Sequence, residues 1–86
     1  MRNNDVILSA VIIARNEATR IGKCIDALKF ASEVIVVNNG SSDKTAAVAK
    51  ESGALVIETN SGDFSELRNT ARDRAKGNWI LYVDAA

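Results

Sequence analysis

The chain of 86 residues contains no proline, no histidine and one cysteine, and its aromatic residues are two phenylalanines, one tyrosine and one tryptophan. Without histidine there is no imidazole general base and no imidazole metal ligand, so a metal would need oxygen ligands or Cys24. One cysteine cannot form an internal disulfide, which fits a reducing compartment. Charge of one sign is missing too. Eleven basic and eleven acidic side chains cancel, which removes the basic footprint of a nucleic-acid binder. No apolar run approaches the length of a membrane span. Met1-Arg2-Asn3-Asn4-Asp5 leads only into a short apolar stretch with no small-residue cleavage pattern behind it. The expected location is cytoplasmic, with no membrane segment in this chain.

What is present is ordinary for one small globular domain: 47% apolar and 26% charged residues. The chain is organised around Val34-Ile35-Val36-Val37-Asn38-Asn39-Gly40-Ser41-Ser42-Asp43-Lys44-Thr45. A continuous β-branched run suits a strand buried on both faces, as in a parallel sheet. Gly40 allows positive φ in the turn that follows, and Ser42 or Asp43 can cap the next helix. Ligands of open α/β sheets sit beyond the carboxyl ends of the strands, so this turn is a candidate ligand contact.

The remaining segments repeat the alternation. Val6 to Ala14 reads as a first strand, followed by a helix whose Ile21, Cys24, Ile25 and Leu28 form one apolar stripe, with Cys24 as a small buried hydrophobe. Glu33 to Val37 is the second strand, Asp43 to Ser52 a helix stopped by Lys50 and Gly53, and Leu55 to Glu58 a third strand. Asp63-Phe64-Ser65-Glu66 has the form of a capping box and predicts a helix from Phe64, with Phe64, Leu67, Ala71 and Ala75 on one face and Lys76-Gly77 as its stop. Trp79 to Val83 is the fourth strand. The pattern β-α-β-α-β-α-β with short connections argues for parallel strands joined by right-handed crossovers. Because the chain stops on a strand at the expected ligand edge, it reads as unfinished.

Such a sheet brings Arg15, Glu17, Asn38, Asn39 and Asp84 to one edge, with Arg68 reaching in from the third helix. Amides and carboxylates suit base and ribose, and arginine suits phosphate. Each also has a plainer role: Glu17 as a first-turn charge, Asn39 as a turn former, Arg68 as a solvated helix residue. Neither a Walker A loop nor G-x-G-x-x-G is present.

Four segments together carry a resemblance: Val11-Ile12-Ile13-Ala14-Arg15-Asn16-Glu17, Val36 to Thr45, Arg68-Asn69-Thr70-Ala71, and Trp79-Ile80-Leu81-Tyr82-Val83-Asp84-Ala85. In this order and spacing they resemble the successive motifs of family 2 glycosyltransferases, from about Leu8 to Ala85. Gly62-Asp63-Phe64-Ser65-Glu66-Leu67-Arg68-Asn69 is similar to the branch acting on lipopolysaccharide cores and other bacterial surface glycans. The resemblance implies a Rossmann-like GT-A half-domain over residues 1–86, truncated after the fourth strand, that binds the nucleotide-sugar donor, commonly a UDP-sugar, of an inverting transferase. It implies that Ala14 and Glu17, with Arg15, line the base and ribose pocket, that Asn38 and Asn39 lie in the turn contacting the pyrimidine, and that Arg68 meets the base or diphosphate. Asp84 matches the first carboxylate of the D-x-D motif.

Two departures stand out. The family commonly has aspartate where this chain has Asn38, and the second aspartate of D-x-D falls at Ala86. The Mg²⁺ or Mn²⁺ of the full-length family would therefore find an incomplete site, with Asp84 alone. The general base and acceptor pocket are expected after D-x-D, beyond Ala86, so the fragment is expected to be inactive alone. The alternative is a non-catalytic nucleotide-binding module, or one that self-associates through its open sheet edge.

Overall fold

The β-branched runs fold as the buried strands of a sheet because neither of their faces carries enough polar side chains to meet water. In the computed structural model, which describes residues 7–60 and 62–84, the elements are β1 (Leu8–Ala14), α1 (Ile21–Ala27), β2 (Glu33–Asn39), α2 (Thr45–Glu51), β3 (Leu55–Thr59), α3 (Phe64–Arg74) and β4 (Trp79–Asp84). The four strands form one sheet in the order β3-β2-β1-β4, and every pairing is parallel. The α/β alternation read from the sequence is the architecture observed.

Side chains alternate across β1 as the pleat requires. Ala10, Ile12 and Ala14 join Ile21 and Ile25 of α1 and Ala49 of α2 in one core. Val11 joins Leu67 and Ala71 of α3 in the other. Thus α1 and α2 cover one face and α3 the opposite face. Ile12, Ile21, Ile25 and Ile35 are fully buried, each contributing about 1.5–3 kcal/mol relative to exposure. Cys24 is half-buried against the α1/α2 core, looser than its expected burial. The expected face of α3 forms through Leu67, Ala71 and Ala75; the side chain of Phe64 lies outside the described residues.

Several boundaries differ from the sequence reading. Asn38 and Asn39, read as turn residues, extend β2, because they pair in register with Glu58 and Thr59 of β3. A partner strand decides where β2 ends. The second helix begins at Thr45, yet Asp43 still serves its start: the Asp43 carboxylate accepts the Thr45 N–H at 3.0 Å. Gly53 stops that helix as expected, at φ 95° with its N–H on the Lys50 carbonyl.

Lys76-Gly77, by contrast, is not the stop of α3. That helix ends at Arg74, and Ala75 is already extended. A Cβ on residue 77 would lie 2.8 Å from both the Ile7 carbonyl and the Ser9 nitrogen, so glycine is required there by close approach to β1. The Gly77 N–H donates to Ser9 Oγ at 2.9 Å, Ser9 Oγ donates to Glu33 at 2.5 Å, and the Lys76 N–H donates to the same carboxylate at 2.6 Å. Partial burial pushes the Glu33 carboxyl up; the Ser9 hydroxyl, the Lys76 and Gly77 amides and the Lys76 charge outweigh it and hold it below its ordinary value.

Candidate functional site

Parallel pairing sends every strand's carboxyl end to the same edge, and the registers Ala14↔Asn38, Asn38↔Glu58 and Ile13↔Asp84 keep those ends level. From β1 the chain winds outward through β2 to β3 on one face, then crosses by α3 on the other face to place β4 on the far side of β1. The winding reverses between β1 and β4. At such a switch point the loops leave in opposite directions and open a crevice, where open α/β sheets bind ligands. Ala14, Arg15 and Asp84 stand at this reversal.

The β1–α1 and β2–α2 loops do not move separately. Asn16, at φ 56°, is a residue type that tolerates the left-handed region, and its Oδ1 accepts from the Ser42 N–H at 2.7 Å. In return the Asn16 N–H donates to Ser41 Oγ at 2.9 Å. The Glu17 N–H donates to Thr45 Oγ1 at 2.9 Å, and the Ala18 N–H to Asp43 Oδ2 at 3.2 Å. Thr45 is fully buried, and its hydroxyl donates onward to Asp43 Oδ1. The Thr45 hydroxyl, followed by the Thr45 and Ala18 amides, outweighs desolvation and holds the Asp43 carboxyl below the usual carboxylate range. These bonds fix the backbone from which Arg15 and Glu17 project.

Glu17 is half-buried and pairs with Arg20 at 3.4 Å. Arg15 is exposed at the rim. Asn38 is 4% exposed, and both ends of its amide are engaged inside the chain: Oδ1 accepts from Ser41 Oγ, and Nδ2 donates to Glu58 at 2.8 Å. It lies at the carboxyl end of β2, beside Ala14 of β1. Asn39 is half-buried at the end of β2, next to Gly40, whose φ of 67° makes the expected turn. Arg68 is exposed on the opposite face, its guanidinium 5.4 Å from the centroid of the Tyr82 ring. Asp84 closes β4; its side chain lies outside the described residues.

Two groups of candidates therefore form. Ala14, Asn38 and Asn39 at the strand ends and Arg15 and Glu17 beyond β1 gather around the stapled loops, whereas Arg68 and Asp84 belong to the α3–β4 side. Asn16, Ser41, Thr45 and Tyr82 were not singled out from the sequence. The run Ser41-Ser42-Asp43-Lys44-Thr45 announces local capping, but its bonds reach across to residues 16–18, which no local pattern reports. Among the described residues no group of three His, Cys, Asp or Glu side chains is placed to hold a metal ion. A hard divalent cation at a diphosphate takes many of its oxygen ligands from water and phosphate, and the Asp84 carboxylate lies outside the described residues. No helix among the described residues is long and apolar enough to cross a membrane.

Comparison with known proteins agrees with this fold. The chain is 41% identical over 80 residues to a TPR repeat-containing protein of Synechococcus elongatus, covering 91% of the chain and 20% of that protein. It is 46% identical over 43 residues to the lipopolysaccharide core biosynthesis glycosyltransferase LpsC of Rhizobium meliloti, covering half of the chain and 16% of that enzyme. In structure it is similar to glucosyl-3-phosphoglycerate synthase of Mycobacterium tuberculosis, crystallised with Mn²⁺, UDP and glucosyl-3-phosphoglycerate. The TM-score is 0.82 at 26% identity, over 93% of this chain and 33% of that one. The chain thus spans about a third or less of each of these relatives. Residues 9–85 match the family described as Glycosyl transferase family 2, and the chain belongs to that family.

Proposed function

We propose that these residues form the donor-nucleotide-binding part of an inverting glycosyltransferase of bacterial cell-surface glycan synthesis, binding a UDP-sugar in the cytoplasm. The observation that carries the reading is the reversal of winding between β1 and β4, with the loops that Asn16, Asp43 and Thr45 hold together on one side and Arg68 over Tyr82 of β4 on the other. UDP bound to the mycobacterial synthase supports the choice of nucleotide, and the name of the Rhizobium enzyme supports surface glycan as the product class.

In this reading Ala14 and Glu17 line the base and ribose pocket beside Arg15. Asn38 supports it from below, and Asn39 faces the pyrimidine. The departing nucleoside diphosphate carries the charge that develops during transfer, and an arginine fixed nearby stabilises it. Glu17, Asn39 and Arg68 bind and orient the donor; deprotonation of the acceptor is assigned to no residue of this chain. Mn²⁺ in the related synthase points to a cation at the diphosphate in longer family members, but the residues described here do not by themselves fit one, and no step is assigned to it.

The test is an amide proton–nitrogen spectrum of the 86-residue chain titrated with UDP, with and without Mg²⁺. Shifts at Glu17, Asn39, Arg68 and Asp84, insensitive to Mg²⁺, are expected. A dispersed spectrum indifferent to UDP overturns the nucleotide reading in favour of a self-associating module. Turnover of a nucleotide sugar by this chain alone overturns its assignment as a donor-binding part only.

A further inference from the structure

Arg68 stands where an arginine has several ways to waste its charge, yet the structure gives it one specific support. Its neighbours one helical turn away are Phe64, Ser65, Ala71 and Arg72. None is a carboxylate, and Arg72 repels it from folding along the helix. Among the described residues the support is the face of Tyr82, 5.4 Å from the guanidinium carbon. Leu67, the preceding residue, is 1% exposed in the α3 core and anchors that turn of helix, while Tyr82 pairs with Val11 on the central strand. Both ends of the contact are thus mounted on rigid elements. Tyr82 is itself 39% exposed and Arg68 is exposed, so the pair is open to solvent.

A guanidinium attracted to a ring face keeps its in-plane N–H groups available. Those donors match the oxygens of a phosphate in pairs. Tyr82 also lies two residues before Asp84, at the edge where the winding reverses. We infer that Tyr82 is a positioning residue for the donor diphosphate: its ring holds Arg68 at the crevice mouth with the guanidinium fork directed to phosphate oxygens. This rests on the nucleotide reading above and adds to it a residue that acts through Arg68 and not on the base.

Two measurements on the whole chain test it. In the unliganded chain, ring-current shielding is expected to move the Arg68 Hδ protons upfield, and UDP is expected to perturb them further. Arg68 Hδ protons at unstructured positions overturn the inference even if every Tyr82 variant misfolds. In parallel, UDP and uridine are titrated against Tyr82→Phe, Tyr82→Leu, Arg68→Ala and the Tyr82→Leu/Arg68→Ala pair. Tyr82→Leu is expected to weaken UDP about two- to fivefold and to leave uridine unchanged. Tyr82→Phe keeps the ring and is expected to bind like the unsubstituted chain, and the effect of Tyr82→Leu is expected to vanish once Arg68 is alanine. Equal weakening of uridine and UDP, or a Tyr82→Leu loss that persists without Arg68, overturns the positioning role alone. Failure of the unsubstituted chain to bind UDP overturns the nucleotide reading and this inference together.

Discussion

Asp43 is exposed and nevertheless holds two loops: one carboxylate oxygen accepts from the Ala18 N–H, and the other from the Thr45 N–H. Those bonds favour the charged form, so its pKa lies below that of the unfolded chain. For a carboxyl shifted downward, the stabilisation is complete above the unfolded value, near 3.9 for aspartate, and is lost as pH falls through the folded value. Glu33, also shifted downward, works in the same direction at the opposite end of the sheet. The urea midpoint is therefore expected to be flat near neutrality and to fall below about pH 4. In Asp43→Asn an amide NH₂ replaces one accepting oxygen, leaving one N–H of the loops unmatched. That variant is expected to be weaker at pH 7 and to lose less on acidification, with Glu33 supplying the remaining slope. An acid slope identical to that of the unsubstituted chain would show that Asp43 takes no part.

At the scale of elements, the segment between α3 and β4 depends on what residue 77 lacks. Gly77→Ala puts a methyl group 2.8 Å from the Ile7 carbonyl just before β1 and from the Ser9 nitrogen within it, and backbone cannot swing aside as a side-chain tip can. A loss of about 1–3 kcal/mol is expected in urea unfolding, with the largest amide-exchange increase at Ser9 and Trp79; unchanged stability would mean that the segment relocates freely. The sequence suggested a different job for this glycine, and the reason shows what local pattern can report. Periodicity and apolar runs fix which faces are buried, because burial repeats every few residues; the alternation of strands and helices, the stripe of α1 and the core side of α3 were legible that way. The Ser9–Glu33–Gly77 network, the extension of β2 through Asn39 and the bonds of Asn16 to Ser41 and Ser42 join residues far apart in sequence. They become visible only when the sheet order is known. The same holds for the candidate site. Its strand-end residues were legible, but the staple that orients Glu17 and the ring under Arg68 were not.

At the scale of the whole molecule, the exposed large apolar side chains among the described residues include Phe30 after α1, Leu55 on the β3 edge, and three on the β4 edge. β4 lies outermost in the sheet, with Trp79 63%, Leu81 39% and Tyr82 39% exposed. An edge strand of this kind is a template for pairing with a second chain. If this edge pairs two chains, sedimentation shows mass rising with concentration and Leu81→Lys restores the monomer; a monomer at all concentrations removes self-association as the alternative to donor binding. The parallel order has one more consequence, which concerns birth and not the finished state. β1 is paired on both sides, and its second side is closed by a segment that includes the Ile7–Asn78 bond, across 71 positions of sequence. During synthesis this largely buried strand leaves the ribosome early and waits, half-covered, for a partner that emerges several seconds later at translation rates of about 5–20 residues per second. Parallel pairing across so long a separation is intrinsically slow, so this domain is one for which a chaperone that shields an apolar strand is expected to matter most before residue 84 is made.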